Sequence, residues 1–589
     1  MHTNRGTRIA LAHSARSCAA ARIQARVLVS AIALALGAAT PAMAGTFNAG
    51  NEAELIQAIN DANANPGADT IAVSADIVLG AALPEITDAL TIAGSGANRR
   101  ISRDDSGDHA CSPTATNAFR LLDASADLTL RDLTLTGGCN LVDQGGAVRV
   151  QGAALRLERS TISGNQTFVE NADYYYGYGG IGGGAAVVFG SATLIDSTVS
   201  GNHSHGVLCG GGGVASFYGD MEVVRSTISG NSADGIGAFG GGLYGIGDIY
   251  NSRPGTFTIT DSVIGDNEVV SEDSPQGGGL TAFEEVVTIT GSKIVDNRIV
   301  GGNTEARGGG LMIASWSPAD HRIERTLISG NRVTGLFGFG GGVHVGAASD
   351  QVGADAAGVT FTLVDSTIAD NTVDTLSKGR AGGLFIESVL ARLVNTTVSG
   401  NQVIGPVNEG GGAMMLLSEG VVPVRLELYN STIANNKSLN SDSGGLLFMR
   451  EPTNAEEPTA LIESSILASN LGRDGLADIG IAPSAAPAIV ANHSLIQGSV
   501  RVGGGSFAPD ATTIMLRAEN PQLLPLAWNG GFTPTHALAT TSPAIDQGTN
   551  LLDLDFDQRG APYGRVVGAA ADIGAYELDE DRIFASGFD

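Results

Sequence analysis

The chain has few aromatic residues, little basic charge and no apolar run long enough to cross a bilayer. Aromatics make up 5% of its 589 residues, which argues against a β-propeller, the nearest alternative repeat fold, whose blades carry aromatic signatures. Lys and Arg number 33 against 61 Asp and Glu. With no basic stripe to offset that balance, the surface repels nucleic acid and anionic lipid. No membrane-spanning segment is expected, because the apolar run at 27–37 is too short for a stable transmembrane helix. Four cysteines exclude a disulfide-dense scaffold. Helical periodicity is nearly absent, and no phosphate loop, nucleophile elbow or dinucleotide fingerprint occurs in a strand-turn-helix context.

What the chain has instead is one phrase that returns every 29 to 40 residues, first as Ser160-Thr161-Ile162-Ser163-Gly164-Asn165. Its copies end at Asn165, Asn202, Asn231, Asn267, Asn297, Asn331, Asn371, Asn401 and Asn436, with a looser copy at Asn470. Three residues before each of the nine Asn stands Ile or Val, and five before it Ser or Thr. The residue just before is Gly, Asp or Asn, the types that tolerate left-handed backbone. A variable stretch and a glycine cluster follow, as in Gly240-Gly241-Gly242, then a short apolar run.

Each repeat therefore reads as three short strands separated by turns. Such a unit cannot bury its apolar face alone, so copies must stack and share a core. The expected fold is all-β: a single-stranded right-handed parallel β-helix, with aliphatic column on aliphatic column inside. The Asn column is expected at a bend, where amides can hydrogen-bond up the stack. The hydroxyl column is either an inward filler or a second ladder. Wandering repeat length suits a solenoid, whose loops lengthen without disturbing the stack.

Five segments follow. Residues 1–44 carry five Arg, no acid, the apolar run and Ala42-Met43-Ala44, which reads as a secretory signal cut before Gly45. Its removal leaves 28 basic against 61 acidic residues, a net charge of −33. Residues 45–144 form an N-terminal cap and irregular first coils; Asn51 N-caps a short amphipathic helix that serves as the lid. Residues 145–470 are the regular coils, 471–578 the C-terminal coils and cap, and 579–589 a short tail.

Three phrases near the C-terminus, Ser542-Pro543-Ala544-Ile545-Asp546, Asp557-Gln558-Arg559-Gly560 and Asp572-Ile573-Gly574-Ala575-Tyr576-Glu577, resemble the tail of the choice-of-anchor Q group of exported parallel β-helix proteins. Gly145-Gly146-Ala147-Val148 is similar to the coils of polymorphic outer membrane proteins, though Ile-Ser-Gly-Asn stands here for their Phe-x-x-Asn and no barrel follows. The resemblance implies a bacterial protein that is secreted or held at the cell surface.

Candidate chemistry is sparse. Polysaccharide lyase or glycoside hydrolase action needs paired carboxylates, or a cation and a base, on one face, and no such cluster recurs in the coils; Asp104-Asp105 reads as solvated. No catalytic residue or cofactor is assigned. Asp553, Asp555 and Asp557 alternate along a loop that could gather on calcium. His203 and His205 lie two apart but lack an acid or thiol at metal-site spacing, and read as surface residues. Cys111 and Cys139 lie about one repeat apart and are candidates to pair, leaving Cys209 free. Aromatics at 174–178 and Trp316 sit on the longest loops. The preferred reading is a non-catalytic exported solenoid that presents loops to an extracellular glycan or a surface protein; the alternative is an enzyme of the parallel β-helix type.

Overall fold

A computed structural model describes residues 43–579 except 105–110, 170–178, 249–253, 348–357, 420–421, 452–455, 502–503 and 518. The expected signal segment up to residue 42, the tyrosine run at 174–178, Asp105 and the last ten residues lie outside the described residues.

The recurring phrase folds into rungs. Ile162 pairs in register with Val199, Val199 with Ile228, and so on through Ile264, Ile294, Ile328, Ile368, Val398 and Ile433. All nine are buried. Stacking like on like removes each aliphatic side chain from water on both sides, worth roughly 1.5–3 kcal/mol per residue. The result is a parallel β-helix.

The regular coils are mostly built from four strands, not the expected three. One turn runs through Leu155–Glu158, Thr161–Ser163, Gln166–Val169 and Ala185–Val188 before returning to the first wall at Ala192–Ile195. Among the described residues the four walls contain 16, 15, 11 and 14 strands. The third was hidden in the sequence because its members, such as His203–Val207 and Ser232–Ile236, are polar and carry glycine. They are strands because neighbouring coils supply backbone partners, not through intrinsic preference.

The fourth wall carries the glycine clusters. A Cβ on Gly212 would stand 2.3 Å from the Ser232 carbonyl oxygen, so only glycine lets the third and fourth walls approach this closely. The bend between the first two walls is a column of left-handed residues, including Asp132, Arg159, Asp196 and Arg225. Arg159 bonds Asp132, and Arg225 bonds Asp196, through Nε at 2.8 and 2.7 Å.

The N-terminal end is closed by the helix Glu52–Ala64, whose N-cap Asn51 accepts from the Glu54 N–H. Leu55, Ala58, Ile59 and Ala62 are buried and join the common core. The irregular C-terminal segment does not end over the far opening. From about residue 520 it turns back and lies along the second wall: Thr367 Oγ1 donates to Pro534 O, Asn395 Nδ2 to Phe556 O, and Asn430 Nδ2 to Thr549 O. It forms a strap with its own apolar cluster, including Leu538, Ala544, Ile573 and Tyr576. No described helix is long and apolar enough to cross a membrane.

Candidate functional site

The Asn column forms a continuous buried amide ladder. In each rung the backbone N–H and Nδ2 of one Asn both donate to Oδ1 of the next, as Asn202 does to Asn231 at 3.0 and 2.9 Å. Nδ2 also reaches back to the carbonyl of the aliphatic residue one coil earlier, Leu135 for Asn165 and Ile162 for Asn202. One side chain thus ties three coils. The rungs at Asn165, Asn231, Asn267, Asn297, Asn331, Asn371, Asn401 and Asn436 repeat the pattern of a paired donation to the next amide. The hydroxyl column is a second ladder: Ser160 N–H donates to Ser197 Oγ, and Ser197 N–H to Ser226 Oγ. These are devices of stability, since a buried amide must be satisfied on all sides.

Cys111 and Cys139 form a disulfide with a Cα–Cα distance of 5.5 Å. Cys209 is free and buried. Burial pushes its thiol up to about 12, so it is not a nucleophile at neutral pH.

The three aspartates at 553, 555 and 557 do not converge. Asp553 and Asp555 are exposed, whereas Asp557 is buried against Arg559 at 2.6 Å and accepts the Glu577 N–H. The segment is irregular, so alternation in sequence does not put the carboxylates on one face, and the expected calcium ligands are not gathered there. His203 and His205, expected to lack an acid partner, have one. Their partner is on the next coil, where in-register pairing sets His205 opposite Asp234 and His203 opposite Ser232. His203 Nε2 and His205 Nδ1 each lie 2.9 Å from Asp234 Oδ1. Burial alone would raise the Asp234 carboxyl, but the hydrogen bonds to the two histidines outweigh it and hold it low. Among the described residues, these are the only three or more metal-ligating side chains whose ligand atoms gather within 4.8 Å. The sequence could have shown this only once the coil register was known.

Two further features on the fourth wall escaped the sequence reading. At the corner leading to the first wall, Phe189 and Tyr218 hold left-handed backbone, φ 58° and 61°. Their rings stack, with centroids 4.9 Å apart and planes at 22°. Each is followed by glycine, and a Cβ on Gly219 would lie 1.6 Å from the Gly190 carbonyl oxygen. The tight corner fixes both aromatics, and Phe189 remains 57% exposed. Bulky residues are rare in left-handed backbone.

Further along, where the third and fourth walls meet, lies a charged cluster. His344 Nε2 is 3.3 Å from Glu387 Oε2, Arg307 Nη2 2.5 Å from Glu305 Oε2, and Arg380 Nη2 3.0 Å from Glu409 Oε2. The Arg307 and Arg380 guanidiniums flank the Phe339 ring at 5.9 and 5.3 Å. Burial, helped by Arg307, holds the His344 imidazole well below its ordinary range, and its buried Nδ1 has no hydrogen-bond partner among the described residues. Trp316 packs beside Phe283 at 6.0 Å, and its backbone N–H donates to Glu284.

No protein-family model matches the chain, and no curated protein matches it.

Proposed function

We propose that the protein is an exported, non-catalytic β-solenoid that contacts an extracellular glycan through the aromatic corner of its fourth wall. The observation that carries this reading is the Phe189–Tyr218 pair: two stacked rings, one largely exposed, fixed by backbone that a folding argument alone would fill with glycine. Aromatic faces of this kind stack on sugar rings at little cost in side-chain entropy. The two rings sit on neighbouring coils, so they present adjacent stacking faces along the rod. Export rests on the basic, apolar and small-residue pattern of residues 1–44; it is tested by N-terminal sequencing of the protein recovered outside the cell, which should begin at Gly45. Membership of the choice-of-anchor Q group rests on the three C-terminal phrases and belongs to the same reading.

A glycan-binding array on the folded protein is the deciding measurement. Replacing Phe189 and Tyr218 by Ser is expected to lower retention of the bound glycan at least tenfold without lowering the melting temperature. Unchanged retention would remove the corner from the reading.

A second reading is favoured by the Arg307, His344 and Glu387 cluster, which sets a neutral imidazole between a carboxylate and a guanidinium. In it the protein cleaves a neutral or uronic glycan. Release of shortened products, abolished by Glu387→Gln, would establish that reading in place of the first.

A further inference from the structure

The geometry points to a site for a borderline divalent transition cation, such as Zn2+, on the outer face of the third wall, held by His203 Nε2, His205 Nδ1 and Asp234 Oδ1. The two imidazoles alternate along the strand His203–Val207, so both point outward from the same face. Parallel in-register pairing then sets Asp234, from the next coil, directly beside His205. All three ligand atoms are close enough to share one ion.

The surroundings orient the set. His203 Nδ1 lies 2.7 Å from Ser232 Oγ, which occupies one ring nitrogen and turns Nε2 toward the carboxylate. This is the outer-shell hydrogen bond that ligating histidines usually make. The Phe168 ring, one coil earlier, stacks on His205 at 4.3 Å and fixes its plane. The side chains of His203, His205 and Asp234 are 27%, 26% and 36% exposed, so solvent can fill the remaining coordination positions.

The donor set selects the metal. Calcium and magnesium take oxygen ligands, six or more for calcium. Two imidazoles with one carboxylate suit zinc, nickel, copper or iron, and leave open positions. Cys209 is not a fourth ligand: its Sγ donates to the Asp234 backbone carbonyl at 3.1 Å, inside the wall. In the metal-free state Oδ1 accepts from both rings. Metal binding displaces those N–H protons from the ligating nitrogens, and each neutral imidazole then carries its proton on its other ring nitrogen, toward Ser232 Oγ for His203, with no change of oxidation state. The inference is independent of the glycan reading, since the site lies on a different wall.

The test is calorimetric titration of the untagged, chelator-treated protein with Zn2+ and, separately, Ca2+. One Zn2+ per chain and no calcium binding are expected. His205→Ala and Asp234→Asn should weaken zinc binding more than tenfold, and Ser232→Ala by about tenfold. Should a variant fail to fold, Cu2+ added to the unaltered protein decides through its electron paramagnetic resonance spectrum, in which coupling to two imidazole nitrogens is expected. Zinc binding equal in His205→Ala, no zinc binding, or a copper spectrum without paired nitrogen couplings would each overturn the assignment.

Discussion

Asn470 Nδ2 donates to Asp478 Oδ1 at 2.8 Å, and there the amide ladder ends. Every earlier rung both donates and accepts, so a further Asn would leave an unfilled position once the coils stop. Asp478 is an acceptor only. Its other oxygen takes the backbone N–H of Gln497 at 3.0 Å and that of Gly498. A carboxylate thus terminates a column of donors in an otherwise neutral core. Burial raises its pKa even so.

Interrupting the ladder midway is expected to be costly. Asn297 Oδ1 accepts the N–H and Nδ2 of Asn267, and its own Nδ2 donates to Asn331 Oδ1 and Ile264 O. Asn297→Ala leaves several buried groups unpaired, each worth roughly 1–3 kcal/mol. A loss of about 3 kcal/mol or more is expected from urea unfolding. Val300→Ala, on the exposed outer face, should change the midpoint by less than about 0.5 kcal/mol.

The strap should be separable from the rod. Gln558 accepts from Thr397 Oγ1 at 2.6 Å and donates to Ser366 O, Thr367 Oγ1 and Thr533 Oγ1. Gln558→Leu strands those partners, at a cost of about 2–3 kcal/mol. The expected result is faster proteolysis within residues 520–579, while the β-sheet circular dichroism signal persists. Uniform protection of the strap would contradict this docking.

Strap docking should also respond to pH through Asp365. Burial pushes its carboxyl up from 3.8 to about 7, with Glu324 and Asp557 adding to the rise and Asn395 and Arg325 opposing it. The folded state therefore favours the protonated form. Its contribution to stability is complete below about 3.8, and is lost progressively as pH rises to about 7. Asp365→Asn removes this loss, so the difference in melting temperature between variant and native protein should grow in favour of the variant between those values. A constant difference would refute the assignment.

Thiol counting checks the cysteines. Without reductant the exported protein should show no reactive thiol when native and one, Cys209, when denatured. Reduction should raise the denatured count to three by opening Cys111–Cys139. Three thiols before reduction would exclude the disulfide.

The core was legible in the sequence because Ile162 and its successors keep a constant offset from Asn165 and its successors. A constant offset in a stacked repeat becomes a column. The third wall was not legible, since strands such as Ser232–Ile236 have neither apolar alternation nor strong β propensity. Nor was the strap: Gln558 and Thr397 lie 161 residues apart and touch, and no local pattern announces that contact.

The repeat by itself determined the stacked rungs, the buried aliphatic column and the amide ladder, since each follows from period, side-chain shape and the need to satisfy buried amides. Only the tertiary structure decided which residues of different coils meet. Register along the stack brought Asp234 to His205 and stacked Phe189 on Tyr218. Coil length varies from repeat to repeat, so distances in sequence do not translate into distances in space until the backbone pairing is fixed.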